Sequence, residues 1–169
     1  MIFGAGREAD VDAIMELESG AFRPWERWGR QSWLDEMHAD DRFVITARDA
    51  DERVMAAATF QCVPTPDGDQ LRGGDADLHR IMVARQHRGE GAAKHMMRAG
   101  MEWARAIGAE RMLLEVREDN DAAIDLYEGF GFGPISRREN YYGQGVHAIL
   151  MAAPLAPQRP AGLSDDGLD

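Results

Sequence analysis

The sequence predicts a mixed α/β fold, an α+β sheet in which antiparallel strands come first and a central parallel strand-helix-strand unit follows. Three observations predict it. Two strand-like runs, residues 42–48 and 54–63, flank the short polar turn Asp49-Ala50-Asp51-Glu52, the spacing of an antiparallel pair. Residues 78–116 read strand, helix, strand, and a crossover of that kind makes the two strands adjacent and parallel. The chain has 169 residues, 44% of them hydrophobic, which suits one domain with a sizeable core.

At the N-terminus, Asp10 stands as an N-cap before Val11, Ile14, Met15 and Leu17, whose spacing describes a short amphipathic helix. A second helix is expected after Pro24, with Trp25, Trp28, Trp33, Leu34 and Met37 on its apolar face. The antiparallel pair comes next. Between Pro64 and Asp75 the segment PTPDGDQLRGGD is so dense in Pro, Gly and Asp that it reads as a long loop. Strand character resumes at Leu78–Val83. From Gly89 onward Ala93, Met96, Met97, Gly100, Met101 and Ala104 give the strongest helical periodicity in the chain. Gly108 serves as C-cap, Arg111–Val116 as a buried strand, and Asp121–Phe130 as a short helix capped by Asp119, Asn120 or Asp121. Pro134–Tyr142 and Ala148–Ala152 are the expected last strands. Residues 1–153 thus form a single domain, and the Pro- and Asp-containing tail 154–169 is expected to be disordered.

Charge narrows the function classes. With 19 Lys+Arg against 30 Asp+Glu the formal net charge is −11, which opposes non-specific binding to nucleic acid or to an anionic membrane surface. No secretory signal is evident, and the lone Cys62 cannot form an internal disulfide, so a cytoplasmic location is expected. No apolar run is long enough for a membrane span. Residues 85–111 reverse the sign locally. There Arg85, Arg88, Lys94, Arg98, Arg105 and Arg111 stand against Glu90, Glu102 and Glu110, which makes a local anion site plausible in an acidic chain.

That window opens with Gln86-His87-Arg88-Gly89-Glu90-Gly91, between a strand and the best helix. Glycines let backbone amides approach a ligand closely, and a helix N-terminus offers unpaired N–H groups and the positive end of its dipole. A pyrophosphate suits such a place; an ordinary glycine-containing helix start with a solvated basic face is the plain alternative. A Walker loop is absent. A dinucleotide fingerprint fits poorly, because Lys94 occupies its third glycine position and Ala84–Arg88 separate the strand from Gly89.

The loop instead matches Q/R-x-x-G-x-G/A, and with it the chain resembles the GCN5-related N-acetyltransferases, which bind acetyl-coenzyme A. The run LLEVREDNDAAIDLYEGFGF followed by RRENYY, the AFRPW segment and the closing AILMAAPL resemble the bacterial ribosomal-protein-alanine N-acetyltransferases, the RimI type. The resemblance covers residues 7–155. It implies a GNAT fold, acetyl-coenzyme A as co-substrate, and a protein N-terminus as acceptor, the alanine of ribosomal protein S18 above all. It further implies that backbone amides of Arg88, Gly89, Glu90, Gly91 and Ala92 hold the pyrophosphate and that Ile81, Met82 and Val83 pair with the pantetheine arm. Asn120 would contact that arm; helix capping is its other reading.

Glu115 is the candidate general base. In residues 111–117, Met112, Leu114 and Val116 share one face while Leu113, Glu115 and Arg117 share the other, and ligands gather at the carboxyl ends of strands in open α/β sheets. The resemblance supports that role; an ion pair with Arg117 or another arginine is the structural alternative. Tyr127 matches the element that protonates the coenzyme thiolate in relatives, although Ala123, Leu126, Tyr127 and Phe130 also describe a core-facing helix side. Phe22, Pro24, Trp25, Tyr141 and Tyr142 match peptide-facing segments. Val146-His147 depart from the acidic pair found in many relatives, and Arg23 is an insertion.

Cys62 reads as a small core residue, which favours direct transfer over an acyl-enzyme. The five histidines show no metal-ligand spacing, so no metal is expected; His79, on the strand leading to the cofactor loop, could approach the amine but reads better as a satisfied structural histidine. Two other functions stay open on sequence: transfer to a small amine or lysine side chain, and a non-catalytic acyl-coenzyme A-binding module.

Overall fold

The computed structural model describes residues 1–63 and 74–155. Its strands are β1 Ile2–Ala5, β2 Arg42–Arg48, β3 Val54–Val63, β4 Asp75–Val83, β5 Arg111–Arg117, β6 Gly133–Arg138 and β7 Ala148–Pro154. Its helices are α1 Val11–Ala21, α2 Arg30–His38, α3 Ala92–Ala106 and α4 Asp121–Glu128. All seven strands join one sheet in the order β1-β2-β3-β4-β5-β7-β6. Only β4 and β5 run parallel, joined by α3 as the strand-helix-strand pattern predicts. Among the described residues no helix is long and apolar enough to cross a membrane.

The sheet separates two cores. Ile45, Ala47, Ala56, Ala58, Phe60, Ala76 and Leu78 face α3 and α4, whereas Val44, Ala57 and Met82 face α1 and α2. Fully buried alanines at 56, 57 and 58 keep β3 thin, so helices pack closely on both sides. Gly100 rests against the Phe60 ring, and a Cβ at that position would collide with three of its ring atoms.

Several boundaries differ from the expectation. β1 was not foreseen; four residues are too few for a periodic signal, and pairing with β2 holds them. Asp10 does not cap α1 with its side chain, because its carboxylate accepts from the Arg7 amide and pairs with the buried Arg48. α2 starts at Arg30, leaving Trp25 and Trp28 in the connection from α1. β4 begins earlier, at Asp75, and β6 ends at Arg138, so Tyr141 and Tyr142 lie in a turn. Asn140, with φ 55°, heads that turn and accepts from the Gly145 amide at 2.7 Å. β7 runs through Pro154 and Leu155 is buried, so packing reaches just past residue 153. The expected loop 64–73 and the tail 156–169 lie outside the described residues.

Two irregularities of the sheet create the site. The β3–β4 register jumps from Thr59↔Arg80 to Phe60↔Leu78, leaving His79 as the extra residue of a bulge. Alternation therefore resets: Leu78 faces α3, while His79 and Arg80 both reach groups on α2 and α1. The parallel pairing of β4 with β5 covers only Asp75↔Arg111, Ala76↔Met112 and Asp77↔Leu113. Beyond Asp77 and Leu113 the strands part, and the backbone edges that face each other across the gap have no strand partner.

Candidate active site

The gap between β4 and β5 opens into a cavity of about 1510 Å³. That exceeds the roughly 300–1,000 Å³ of an ordinary ligand pocket, leaving room for one long ligand and part of a second. The cavity has two chemically distinct ends.

One end is the start of α3. Arg88, Gly89, Gly91, Ala92, Ala93 and Lys94 line it, together with Ile81, Met82 and Val83 of β4 and Asn120 of the α4 cap. Gly89 and Gly91 have φ of 82° and 87°, a backbone conformation that strains any other residue, and the space where a Cβ would sit is open at both. The first-turn amides of α3 have no partner within the helix and, with the dipole end and the basic side chains of Arg88 and Lys94, make an anion cradle. Glu90 is off the cavity wall and its carboxylate meets His87 Nδ1 at 3.3 Å. Gln86 is also off this wall, and the wall continues instead to Ala93 and Lys94, because α3 starts at Ala92. Asn120 Oδ1 accepts from the Ala123 amide at 3.2 Å, so it caps α4 while facing the cavity.

At the other end stand Glu115, Tyr127, Asp77, His79, Arg80, Arg117, Tyr141 and Tyr142, with Phe22, Trp25, Glu26 and Trp28 from the α1–α2 connection. Pro24 is not on the wall. Glu115 carries the ion pair that sequence left open, though its partner is Arg138 Nη1 on β6, at 3.0 Å. Burial raises the Tyr127 hydroxyl far above the usual phenol range, with Tyr142 adding to the effect, so it stays protonated at neutral pH. Tyr142 is pushed up to about 12, first by burial and then by the Glu115 carboxylate. Asp77 is also raised, chiefly by burial; His79 opposes the shift while Asp75 and Glu115 reinforce it.

The α1–α2 connection is pinned across the gap. Glu18, fully buried, accepts from Trp33 Nε1 at 3.0 Å and from the Trp28 amide at 3.3 Å, and faces Arg80 Nε at 3.3 Å. Burial outweighs these partners and raises the Glu18 carboxyl; burial likewise lowers Arg80. The Arg80 guanidinium lies 4.0 Å from the Phe22 ring centroid and 4.7 Å from that of Trp28, and it donates to the Glu26 carbonyl. From β5, Arg117 Nη1 meets Glu26 Oε1 at 3.1 Å. One loop is thereby tied to both diverging strands. On the far side, His147 Nδ1 accepts from the Asn140 amide at 3.1 Å, so the departure at Val146-His147 holds the turn carrying Tyr141 and Tyr142.

Sequence reasoning missed Asp77, Arg80, Glu26, Trp28 and Arg117 on the wall, and it preferred a structural reading of His79 to an approach to the amine. Arg80 and His79 depend on the bulge, which strict alternation does not show. The Glu26–Arg117 pair joins residues far apart in the chain, and only the excess of charge inside apolar strands hints at it.

Known proteins share this fold. Residues 11–132 match the acetyltransferase (GNAT) family. The chain is 48% identical over 69 residues to an uncharacterized N-acetyltransferase, YobR, of Bacillus subtilis, covering 41% of this chain and 27% of that one. A Mycobacterium leprae protein, ML0378, is 31% identical over 152 residues, 89% of this chain and 40% of that one. The chain thus spans less than half the length of these two relatives. The ribosomal protein bS18-alanine N-acetyltransferase of Haemophilus ducreyi is 34% identical over 149 residues, covering 86% of this chain and 94% of that one. The crystal structure of the ribosomal-protein-S18-alanine N-acetyltransferase from Escherichia coli superposes with a TM-score of 0.75 at 24% identity, covering 96% of this chain and 98% of that one. The chain belongs to the acetyltransferase (GNAT) family.

Proposed function

We propose that this protein moves the acetyl group of acetyl-coenzyme A to the α-amine of a protein N-terminus, with the N-terminal alanine of ribosomal protein S18 as its substrate. The observation that carries the reading is the parted β4–β5 seam. It joins an anion cradle at α3 to a carboxylate and a phenol at the other end, as a long anionic thioester donor and a separate amine require. Similarity over most of the chain to a relative named for S18 alanine acetylation supports the choice of acceptor.

An α-amine with pKa of about 7.7–8.0 is roughly one-tenth neutral at pH 7, whereas a lysine at about 10.4 is neutral in only about one molecule in two thousand. An N-terminus is therefore the easier nucleophile. In this reading Glu115 takes the proton that the amine sheds on attack, and Tyr127 donates to the departing thiolate. The amides from Arg88 to Lys94 hold the pyrophosphate, and the free edge of Ile81–Val83 pairs with the pantetheine arm. Phe22, Trp25, Tyr141 and Tyr142 flank the entering peptide. Cys62 lies off the cavity wall, and burial and the Asp41 carboxylate push its thiol up, which supports direct transfer.

The test is thiol release from acetyl-coenzyme A with an alanine-initiated S18 peptide beside the same peptide with its α-amine blocked. Turnover with the free peptide alone is expected. Equal turnover with both would move the acceptor to a side chain, and binding of coenzyme A without turnover for any amine would leave an acyl-coenzyme A-binding module.

A further inference from the structure

The substrate arrives as an ammonium and must lose a proton before it can attack, and Glu115 and Tyr127 account only for the protons moved during transfer. A second proton-handling group stands on the same wall. The bulge at His79 turns its ring toward α2, where Nδ1 lies 3.2 Å from both carboxylate oxygens of Glu36. Glu36 is itself fixed by Thr59 Oγ1 at 2.6 Å and Arg42 Nε at 3.1 Å. Although burial opposes it, the hydrogen bonds from His79, Thr59 and Arg42 hold Glu36 below the usual carboxylate range. An ionised carboxylate only accepts hydrogen bonds. In the neutral ring Nδ1 therefore carries the hydrogen and Nε2 the lone pair. Among the described residues Nε2 has no hydrogen-bond partner and is not a sealed polar atom, and His79 lines the cavity. The Trp28 ring stands edge-on to the imidazole at 6.1 Å, closing one side.

We propose that His79, oriented by Glu36, accepts through Nε2 the proton that the incoming ammonium must shed. The inference rests on the transferase reading above and adds a residue to it. The protons balance. His79 takes one from the ammonium; the neutral amine forms the N–C bond as the C–S bond breaks and the electron pair goes to sulfur. Tyr127 protonates the thiolate, Glu115 takes the second amine proton and restores Tyr127, and His79 releases its own proton to solvent. The sum is ammonium plus thioester giving amide, thiol and one proton. The charged and titratable groups around the ring are Glu36 from α2, Arg42 from β2, Asp77 and Arg80 from β4, and Glu115 from β5.

His79→Asn tests the proposal, because the asparagine amide can still donate to Glu36 but offers no base. At about pH 7 its kcat/KM for the free S18 peptide should fall about tenfold, the limit set by the roughly one-tenth of α-amines already neutral in solution. The deficit should shrink as pH approaches about 9, where roughly nine-tenths of α-amines are already neutral. Coenzyme A affinity should not change. Glu36→Gln, which can donate to Nδ1 and reverse the tautomer, should show the same pH-dependent deficit and serves if His79→Asn does not fold. A deficit equal at both pH values, or none, would overturn the relay and leave His79 structural. Absence of wild-type turnover with the free peptide would instead overturn the N-terminal transferase reading.

Discussion

Glu115 and Tyr127 show how two side chains with ordinary structural explanations can carry chemistry without losing them. Glu115 keeps an ion pair with Arg138, and Tyr127 keeps its ring in the core beside Phe132. In the proposed reaction the working groups are the carboxylate and hydroxyl on the cavity wall. Glu115→Gln and Tyr127→Phe should each lower kcat by about 100-fold or more, the range of general acid–base effects, with coenzyme A affinity retained. Wild-type kcat for both at saturating peptide would remove those roles. The sequence offered these two as base and acid through the family resemblance; strand alternation by itself put Glu115 only opposite the apolar face, and helical spacing put Tyr127 only on the core side. His79 and Arg80 were not legible to the same degree. One extra residue in β4 places both on the α1–α2 side, and no alternation pattern shows where a bulge falls.

At the scale of elements, the helix with the clearest periodicity, α3, is also the one whose N-terminus makes the cradle. Its seating depends on Gly100, whose missing side chain leaves room for the Phe60 ring. Gly100→Ala should destabilise the fold by about 1–3 kcal/mol through overpacking, despite alanine's better helix propensity. Denaturant melts of the two proteins check it, and an unchanged or increased stability would contradict the packing described. The α1–α2 connection was read as helix because Trp25, Trp28 and Trp33 suggest an apolar face. In the structure only Trp33 of the three belongs to α2; Trp28 packs on Arg80 and His79, and Trp25 is 71% exposed at the cavity rim. Aromatic density marked a connection that lines the cavity rather than a core helix. The turn with Tyr141 and Tyr142 was extended into β6 for a similar reason, since aromatic residues favour strands and Asn140's positive φ is invisible in composition.

Across the molecule, the order of antiparallel strands followed by a parallel crossover was readable, and that order places α3 over the seam where β4 and β5 part. The parting itself was not readable from periodicity, because both strands continue their patterns after pairing stops at Asp77 and Leu113. It opens the cavity between the start of α3 and Glu115, and the loop pinned by Arg80 and Arg117 lies over the Glu115 end. The most direct measurement is single-turnover transfer from acetyl-coenzyme A to an alanine-initiated S18 peptide that also contains a lysine, with the acetyl group located by tandem mass spectrometry. The account predicts acetyl on the α-nitrogen and none on Cys62 at any time. Acetyl on the lysine side chain, or an acetylated Cys62 that forms and then decays, would contradict it.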